Sequence, residues 1–307
     1  MQETLLDPKL DLVFKKLFCL PENRSALQKF LNLIFANRDM PLVDDITIQN
    51  PQIDGDALQN KSIALDIHAK SSAGESLNIE IQLSNHQGLK ERILFYWSRQ
   101  YGSQLQTGED YRQLQRTVSI FILDFDLTKQ DSLHSVYQVL EIDRIEPLTD
   151  QLEIHLLELP RLHSVDRNRV NRLWNWLQFL CGDTNEDWER LSTDDEELRK
   201  VMRTLESISK DREMWLLAES RKKWLHDQAA FRATGYQEGY EEGMEKGMQD
   251  GMEKGMEKGM EIGTAEGAQQ KNRELAIGML NEGVDIEIII KLTGYSAEDL
   301  AQIKKHK

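Results

Sequence analysis

Apolar and polar residues alternate in two runs between positions 62 and 84, SIALDIHAKSSAGESLNIEIQLS. This period of two marks strands with one buried face. In the first run Ile63, Leu65 and Ile67 point one way and Asp66, His68 and Lys70 the other. In the second, Leu77, Ile79, Ile81 and Leu83 share a face opposite Asn78, Glu80 and Gln82. The stretch from Ser71 to Ser76, with Gly74 inside, supplies turn chemistry between them. An antiparallel hairpin then sets Asp66 across from Glu80 or Gln82, with opposed Cβ atoms roughly 4.5–5.5 Å apart. Two acids so placed repel unless a cation compensates, and hard divalent ions prefer carboxylate oxygens. The same residues also suit an ordinary solvated sheet face, and the Asp-x13-Glu-x-Gln spacing alone does not separate the two.

Around the hairpin the periodicity predicts a mixed domain. Residues 11–20, DLVFKKLFCL, form an amphipathic helix with Leu12, Phe14, Leu17, Phe18 and Leu20 on a broad apolar face. Residues 23–36 repeat the pattern with Leu27, Phe30, Leu31 and Ile34, and residues 46–52 read as a first strand. After Gly88, LKERILFYWSRQYGSQL predicts a helix with Leu89, Ile93 and Trp97 on its buried side. Arg92, Tyr96 and Arg99 stack on a second face of that helix, at spacings of four and three. Residues 117–125 are nearly all apolar, as in a central strand covered on both faces. Two further strands follow, 135–142 and 152–159, linked by a turn around Pro147. Strands mixed with helices indicate an α/β or α+β sheet flanked by helices. A helix over 167–182 carries Leu173, Trp174, Trp176, Leu177 and Phe179. Residues 194–233 continue as one charged helix whose main apolar cluster runs from Met214 to Leu217.

Nine glycines then recur at every fourth position: Gly235, Gly239, Gly243, Gly247, Gly251, Gly255, Gly259, Gly263 and Gly267. Each costs about 1 kcal/mol relative to Ala inside a helix. The segment therefore reads either as a flexible or marginally helical linker, or as a self-association element. In a helix the glycine line would advance about 40° per step, and repeats longer than 3.6 favour right-handed supercoils. The intervening Glu and Lys residues exclude a membrane GxxxG motif. Residues 272–306 predict two or three small helices, with a stop at Thr293-Gly294 and a capping box from Ser296 to Asp299. The outline VDIEIIIKLTGYSAEDLAQI fits a helix-turn-helix. Its scant positive charge before Lys304 fits a protein-contact module as well.

Composition narrows the classes. The 307 residues suffice for one or two domains, 30% of them are charged, and the mean hydropathy is −0.57. No apolar run approaches the roughly 20 residues that span a bilayer. The opening MQETLLDPKL lacks the regions of a signal peptide. With Cys19 and Cys181 the only cysteines, a reducing cytoplasm is the expected setting, and no Cys/His cluster has zinc spacing. The net charge is −15. Residues 235–270 hold nine acids against three lysines, a net of −6, so the remainder still carries −9. Any nucleic-acid contact must be concentrated in a patch, because phosphate contacts come from Lys and Arg.

The hairpin resembles the metal-binding hairpin of the PD-(D/E)XK nuclease superfamily. More closely, it is similar to the Rpn family of recombination-promoting nucleases and transposase-related proteins. Asp66 in LDIHAK and Glu80-Ile81-Gln82 in NIEIQ carry the resemblance. DPKLDLVFKKLF (7–18), ERILFYWSRQY (91–101), TVSIFILDF (117–125) and the Gly-repeat tail also match. Gln82 stands where most of the superfamily has Lys, a departure that the Rpn group shares and that leaves the catalytic base open.

The resemblance implies an α/β PD-(D/E)XK nuclease-like core, a mixed central sheet flanked by helices, with a helical Gly-repeat C-terminal extension. The expected divisions are a core over 1–165, a helical extension over 166–233, the repeat over 234–270 and a small helical module over 271–307. The implied activity is Mg²⁺-dependent DNA endonuclease, with Mn²⁺ as a substitute. Asp66 and Glu80 would bind the metal with the Ile81 carbonyl, and Gln82 would position the attacking water. Asp11 and His68 are accessory candidates, although a helix-capping or surface acid and an ordinary surface-strand His account for them better. Arg92, Tyr96 and Arg99 are candidates for DNA contact. A catalytically weak DNA-binding or oligomerising protein on the same fold, or a transposase-related one, is the alternative. The Gly-repeat region would be the route to a homo-oligomer.

Overall fold

The apolar spacing of the N-terminal segment produces two helices, α1 (Asp11–Cys19) and α2 (Arg24–Ala36). In the computed structural model, residues 5–50, 66–85, 87–129, 132–164, 167–182, 188, 190–191 and 193–305 are described. Ile63, Leu65 and the acidic loop ahead of the hairpin lie outside them. Strands β1 (Ile46–Ile48), β2 (Ile67–Ser71) and β3 (Ser76–Gln82) follow, then α3 (Leu89–Gly102). Next come β4 (Thr117–Leu123), β5 (His134–Tyr137), β6 (Leu152–Glu158), α4 (Arg167–Cys181) and α5 (Glu196–Ser209).

The six strands form one mixed sheet in the order β1-β2-β3-β4-β6-β5. β3 and β6 flank β4 in parallel, and the outer pairs are antiparallel. Every residue of β4 is buried, as its apolar run requires for a strand covered on both faces. One face of the sheet, with Ile67, Leu77, Ile79, Val118, Ile120 and Ile122, packs against α1, α2, α4 and α5 in the main core. Phe18, Phe30 and Trp176 stack there with ring centroids 5.4–6.3 Å apart. Buried Asn23 ties three helices together, donating to Leu17 O at 2.7 Å and Thr204 Oγ1 at 2.8 Å. The opposite face carries a smaller core in which Leu89 and Ile93 of α3 meet Phe121, Leu123, Ile154 and Leu156. Sequence and structure agree on an α/β sheet flanked by helices.

Three expected elements differ. The strand expected over 135–142 ends at Tyr137, and Leu140 meets Pro147 only in an isolated bridge. Leu140 and Ile142 are exposed, so nothing draws that segment onto the sheet. The single helix expected over 194–233 breaks after Ser209. Asp211 Oδ1 accepts the amide of Glu213 at 2.8 Å and restarts the chain as α6 (Arg212–Asn281). Third, the glycine repeat lies wholly inside this 70-residue helix. Between the glycines stand Glu, Lys, Met and Gln, all good helix formers, with an i,i+4 pair from Glu242 to Lys246 at 2.7 Å.

The chain divides into two units, one ending at Asp227 and one beginning at Gln228. In the second, the end of α6, α7 (Ile286–Thr293) and α8 (Ala297–Lys305) enclose a small core of Ala276, Ile289 and Leu300. Gly294 ends α7 with φ +76°, a conformation that strains residues with a Cβ. Ser296 and Asp299 form the reciprocal box: Ser296 N donates to Asp299 Oδ2 at 3.0 Å and Asp299 N to Ser296 Oγ at 3.2 Å. Among the described residues no helix is long and apolar enough to cross a membrane.

A buried polar chain crosses the main core. Asn37 Nδ2 lies 2.9 Å from His134 Nδ1, and His134 Nε2 lies 2.9 Å from His155 Nδ1. An amide donating to Nδ1 leaves the proton on His134 Nε2, which then donates to His155. His155 Nε2 faces Glu153 Oε1 at 3.6 Å, and Glu153 pairs with Arg116, which also holds Glu75 at 2.8 Å. Burial drives the His134 imidazole down to about 2, with His155 and Arg38 adding to the effect. Neutral His134 therefore stabilises the fold fully above the unfolded pKa of about 6.5, and this contribution is lost as pH falls from there toward 2.

Two outcomes follow. Between pH 6.5 and 4.5, His134→Gln should weaken the pH dependence of urea-unfolding stability by up to about 1.4 kcal/mol per pH unit; identical slopes would refute it. Nothing lies within 4 Å of a Cβ built at Gly247 or Gly251. Gly247→Ala and Gly251→Ala should each add about 1 kcal/mol of helix stability in a circular-dichroism melt, whereas a loss would contradict an open helix surface.

Candidate functional site

The β2–β3 register pairs Ile67 with Ile79 and His68 with Asn78. One step further along this antiparallel ladder, Asp66 faces Glu80. Opposed residues point to the same side, so Asp66, His68, Asn78, Glu80 and Gln82 share the face away from the main core. The tight turn depends on Gly74, at φ +93°, and on Ser71 Oγ, which accepts Glu75 N at 3.1 Å. Asn50 holds the other side of β2: its Nδ2 donates to Asp66 O at 3.0 Å and its Oδ1 accepts His68 N at 2.8 Å. The backbone carrying Asp66 and His68 is thus fixed on both sides.

Asp66 Oδ2 lies 2.7 Å from His68 Nε2, and its side chain keeps 17% exposure. Glu80 is more deeply placed. β2 and β4 flank its strand, and the residue is only 9% exposed. Gln82 Nε2 donates to Glu80 Oε1, and Arg92 Nη2 approaches the same oxygen at 3.5 Å. Among the described residues both contacts fall on Oε1, which leaves Oε2 for a ligand. Burial pushes the Glu80 carboxyl up to about 7; Arg92 opposes the shift and the charge of Asp66 adds to it. A solvated outer face would not do this.

Two features of the site are only partly legible in the sequence. Asn50 fixes Asp66 through side-chain bonds across 16 and 18 residues. Asn78 is buried beside Glu80 on the polar face, and among the described residues its Oδ1 has no hydrogen-bond partner. Alternation placed Asn78 on that face, but burial came from the strands around it.

The other candidates divide. Ile81 sends its side chain into the main core, so only its backbone can serve the site. Arg92 reaches Glu80, while Tyr96 and Arg99 lie exposed further along α3. Asp11 is engaged elsewhere: Arg221 Nε lies 3.1 and 3.0 Å from its two oxygens, and the same guanidinium stacks 4.4 Å above Trp224.

Among the described residues no group of three or more His, Cys, Asp or Glu is arranged to hold a metal ion. The site offers two facing carboxylates, the number that Mg²⁺ usually takes from a protein. The raised Glu80 carboxyl and the unpartnered Asn78 oxygen are what a site for a hydrated cation would contain, so the donor set fits.

A mixed sheet with helices on both faces forms an α/β fold, and on it two acids meet on the β2–β3 hairpin. The model described as PD-(D/E)XK nuclease family transposase matches residues 8–235. The model described as Rpn/YhgA-like nuclease family, C-terminal HTH domain, matches residues 269–305. The chain belongs to the Rpn group of the PD-(D/E)XK nuclease family transposases. No curated protein and no solved structure matches it.

Because Arg92 holds Glu80 down, Arg92→Gln should raise the Glu80 carboxyl above about 7 in a carbon-13 NMR titration of the metal-free protein. An unchanged or lower value would contradict the geometry.

Proposed function

We propose that this protein is a metal-dependent DNA endonuclease of the recombination-promoting type, hydrolysing phosphodiester bonds on the β2–β3 hairpin. The observation that carries this reading is the meeting of Asp66 and desolvated Glu80 on one face of the sheet. Family membership supports nuclease chemistry, and the C-terminal HTH match supports DNA as the partner.

Asp66 and Glu80 would hold Mg²⁺, or Mn²⁺ in its place, with the Ile81 backbone carbonyl completing the protein's share. When bound, the ion supplies Lewis-acid stabilisation of charge on the scissile phosphate. His68, against Asp66, fixes the orientation of that carboxylate. Gln82 donates from Nε2 to Glu80 and keeps its own Oε1 to accept a hydrogen bond from the attacking water. An amide takes no proton, so the nucleophile enters already deprotonated, as hydroxide. It attacks phosphorus, one P–O bond breaks, and the leaving oxygen is protonated from solvent. Arg92, Tyr96 and Arg99 flank the site for contact with the DNA.

A second reading is a catalytically weak DNA-binding protein on the nuclease fold. It is favoured by Gln82 at the usual lysine position and by the net charge of −15. Nicking of supercoiled plasmid separates the two. The nuclease reading expects cleavage in Mg²⁺ or Mn²⁺ that EDTA stops, and a loss of at least about a hundredfold in Asp66→Ala and in Glu80→Ala. Cleavage that either variant leaves unchanged would sink the assignment. Intact plasmid under every metal would favour the binding protein.

A further inference from the structure

We infer that the substrate of this site is single-stranded or locally unpaired DNA, its bases stacked on Phe95 and Tyr96 of α3 and its phosphates held by Arg92 and Arg99. The inference rests on the nuclease reading in taking DNA as the ligand. Positions i, i+3, i+4 and i+7 of a helix form one ridge. On α3 these are Arg92, Phe95, Tyr96 and Arg99: a guanidinium at each end and two aromatic rings between. The adjoining flank, with Leu89 and Ile93, is buried against the sheet.

Phe95 is 60% exposed and Tyr96 51%, although each ring has ample apolar surface to bury. Their centroids lie 5.6 Å apart at an interplanar angle of 72°, so the two faces open in different directions. Stacking in this arrangement suits bases splayed out of a strand better than a single flat partner. The ridge begins at the chemistry, since Arg92 Nη2 is 3.5 Å from Glu80 Oε1. A strand lying along it would bring a phosphate to the carboxylate pair.

Charge points the same way. Duplex binding without sequence reading draws its affinity from many phosphate contacts, and this chain carries −15 overall. Two arginines at the site, one of them already shared with Glu80, make a poor duplex clamp. Base stacking on aromatic rings tolerates any sequence and needs few cations. A duplex keeps its bases stacked internally and cannot use the rings.

The test is equilibrium binding by fluorescence anisotropy in EDTA, with the full chain and three probes. These are a labelled oligothymidylate, a strand of the same length and charge without bases, and the matched duplex. The oligothymidylate is expected to bind most tightly. Phe95→Ala and Tyr96→Ala should each raise its Kd about tenfold and leave the base-free strand unaffected, with Phe95→Trp restoring affinity. Both rings are exposed, so the variants should keep the wild-type circular dichroism.

Equal binding of base-bearing and base-free strands, or alanine variants without effect, would overturn the inference. So would variants that change the mass measured by light scattering while DNA binding stays the same, because the ridge would then belong to a protein interface. The plasmid assay keeps the two readings apart. Metal-dependent nicking with no role for the rings leaves the nuclease standing and removes the stacking ridge. Ring-dependent binding of single strands without nicking under any metal does the reverse.

Discussion

The pairing register of β2 and β3 is the constraint on which the site depends. With Ile67 opposite Ile79, every second residue of both strands enters the main core, and Asp66 and Glu80 turn together to the other face. A slip of one residue would reverse this. A slip in β2 would turn Asp66 inward among Leu77, Ile79 and Ile120 and expose Ile67. Burial of four or more apolar side chains therefore fixes the position of the acids. Asn50 and the Ser71–Gly74 turn add local restraint, so the Asp66 carboxylate sits on backbone fixed from both sides.

What makes the pair chemically unusual is the unequal environment of its members. Asp66 keeps contact with solvent and with His68, whereas Glu80 lies between β2 and β4 under α3. Desolvation raises the Glu80 carboxyl more than Arg92 and Gln82 lower it. Arg92 and Gln82 both contact Oε1, and only Arg92 offsets its charge, in part. A fold that needed a quiet core would place an apolar residue here, as it does at Ile79 and Ile81. The retained carboxylate, its like-charged neighbour and the orphan oxygen of Asn78 together fit a cation better than they fit packing.

The hairpin, α1, α2, α3 and the central β4 were legible in the sequence because each has a sustained local period. The shared face was legible as far as the period reaches: Asp66, His68, Glu80 and Gln82 lie on the side where the alternation put them. The desolvation of Glu80 was not legible, because it comes from β4 and α3, which are placed by long-range packing. The same holds for Asn50, for Arg221 on Asp11, and for the Asn37–His134–His155 chain, whose members are separated by 97 and 21 residues. Helix α6 misled for a different reason. Intrinsic propensity counts the glycines against a helix, yet the residues between them and their i,i+4 pairs favour one.

The most direct test of the carboxylate pair is Mn²⁺ binding measured by electron paramagnetic resonance, without DNA and without turnover. If Asp66 and Glu80 hold the ion, the wild-type protein should bind about one Mn²⁺ in competition with Mg²⁺, and Asp66→Asn and Glu80→Gln should each abolish that site. A site that survives both substitutions, or a wild-type protein that binds no ion, would contradict the assignment of this face of the sheet as a metal-dependent active site.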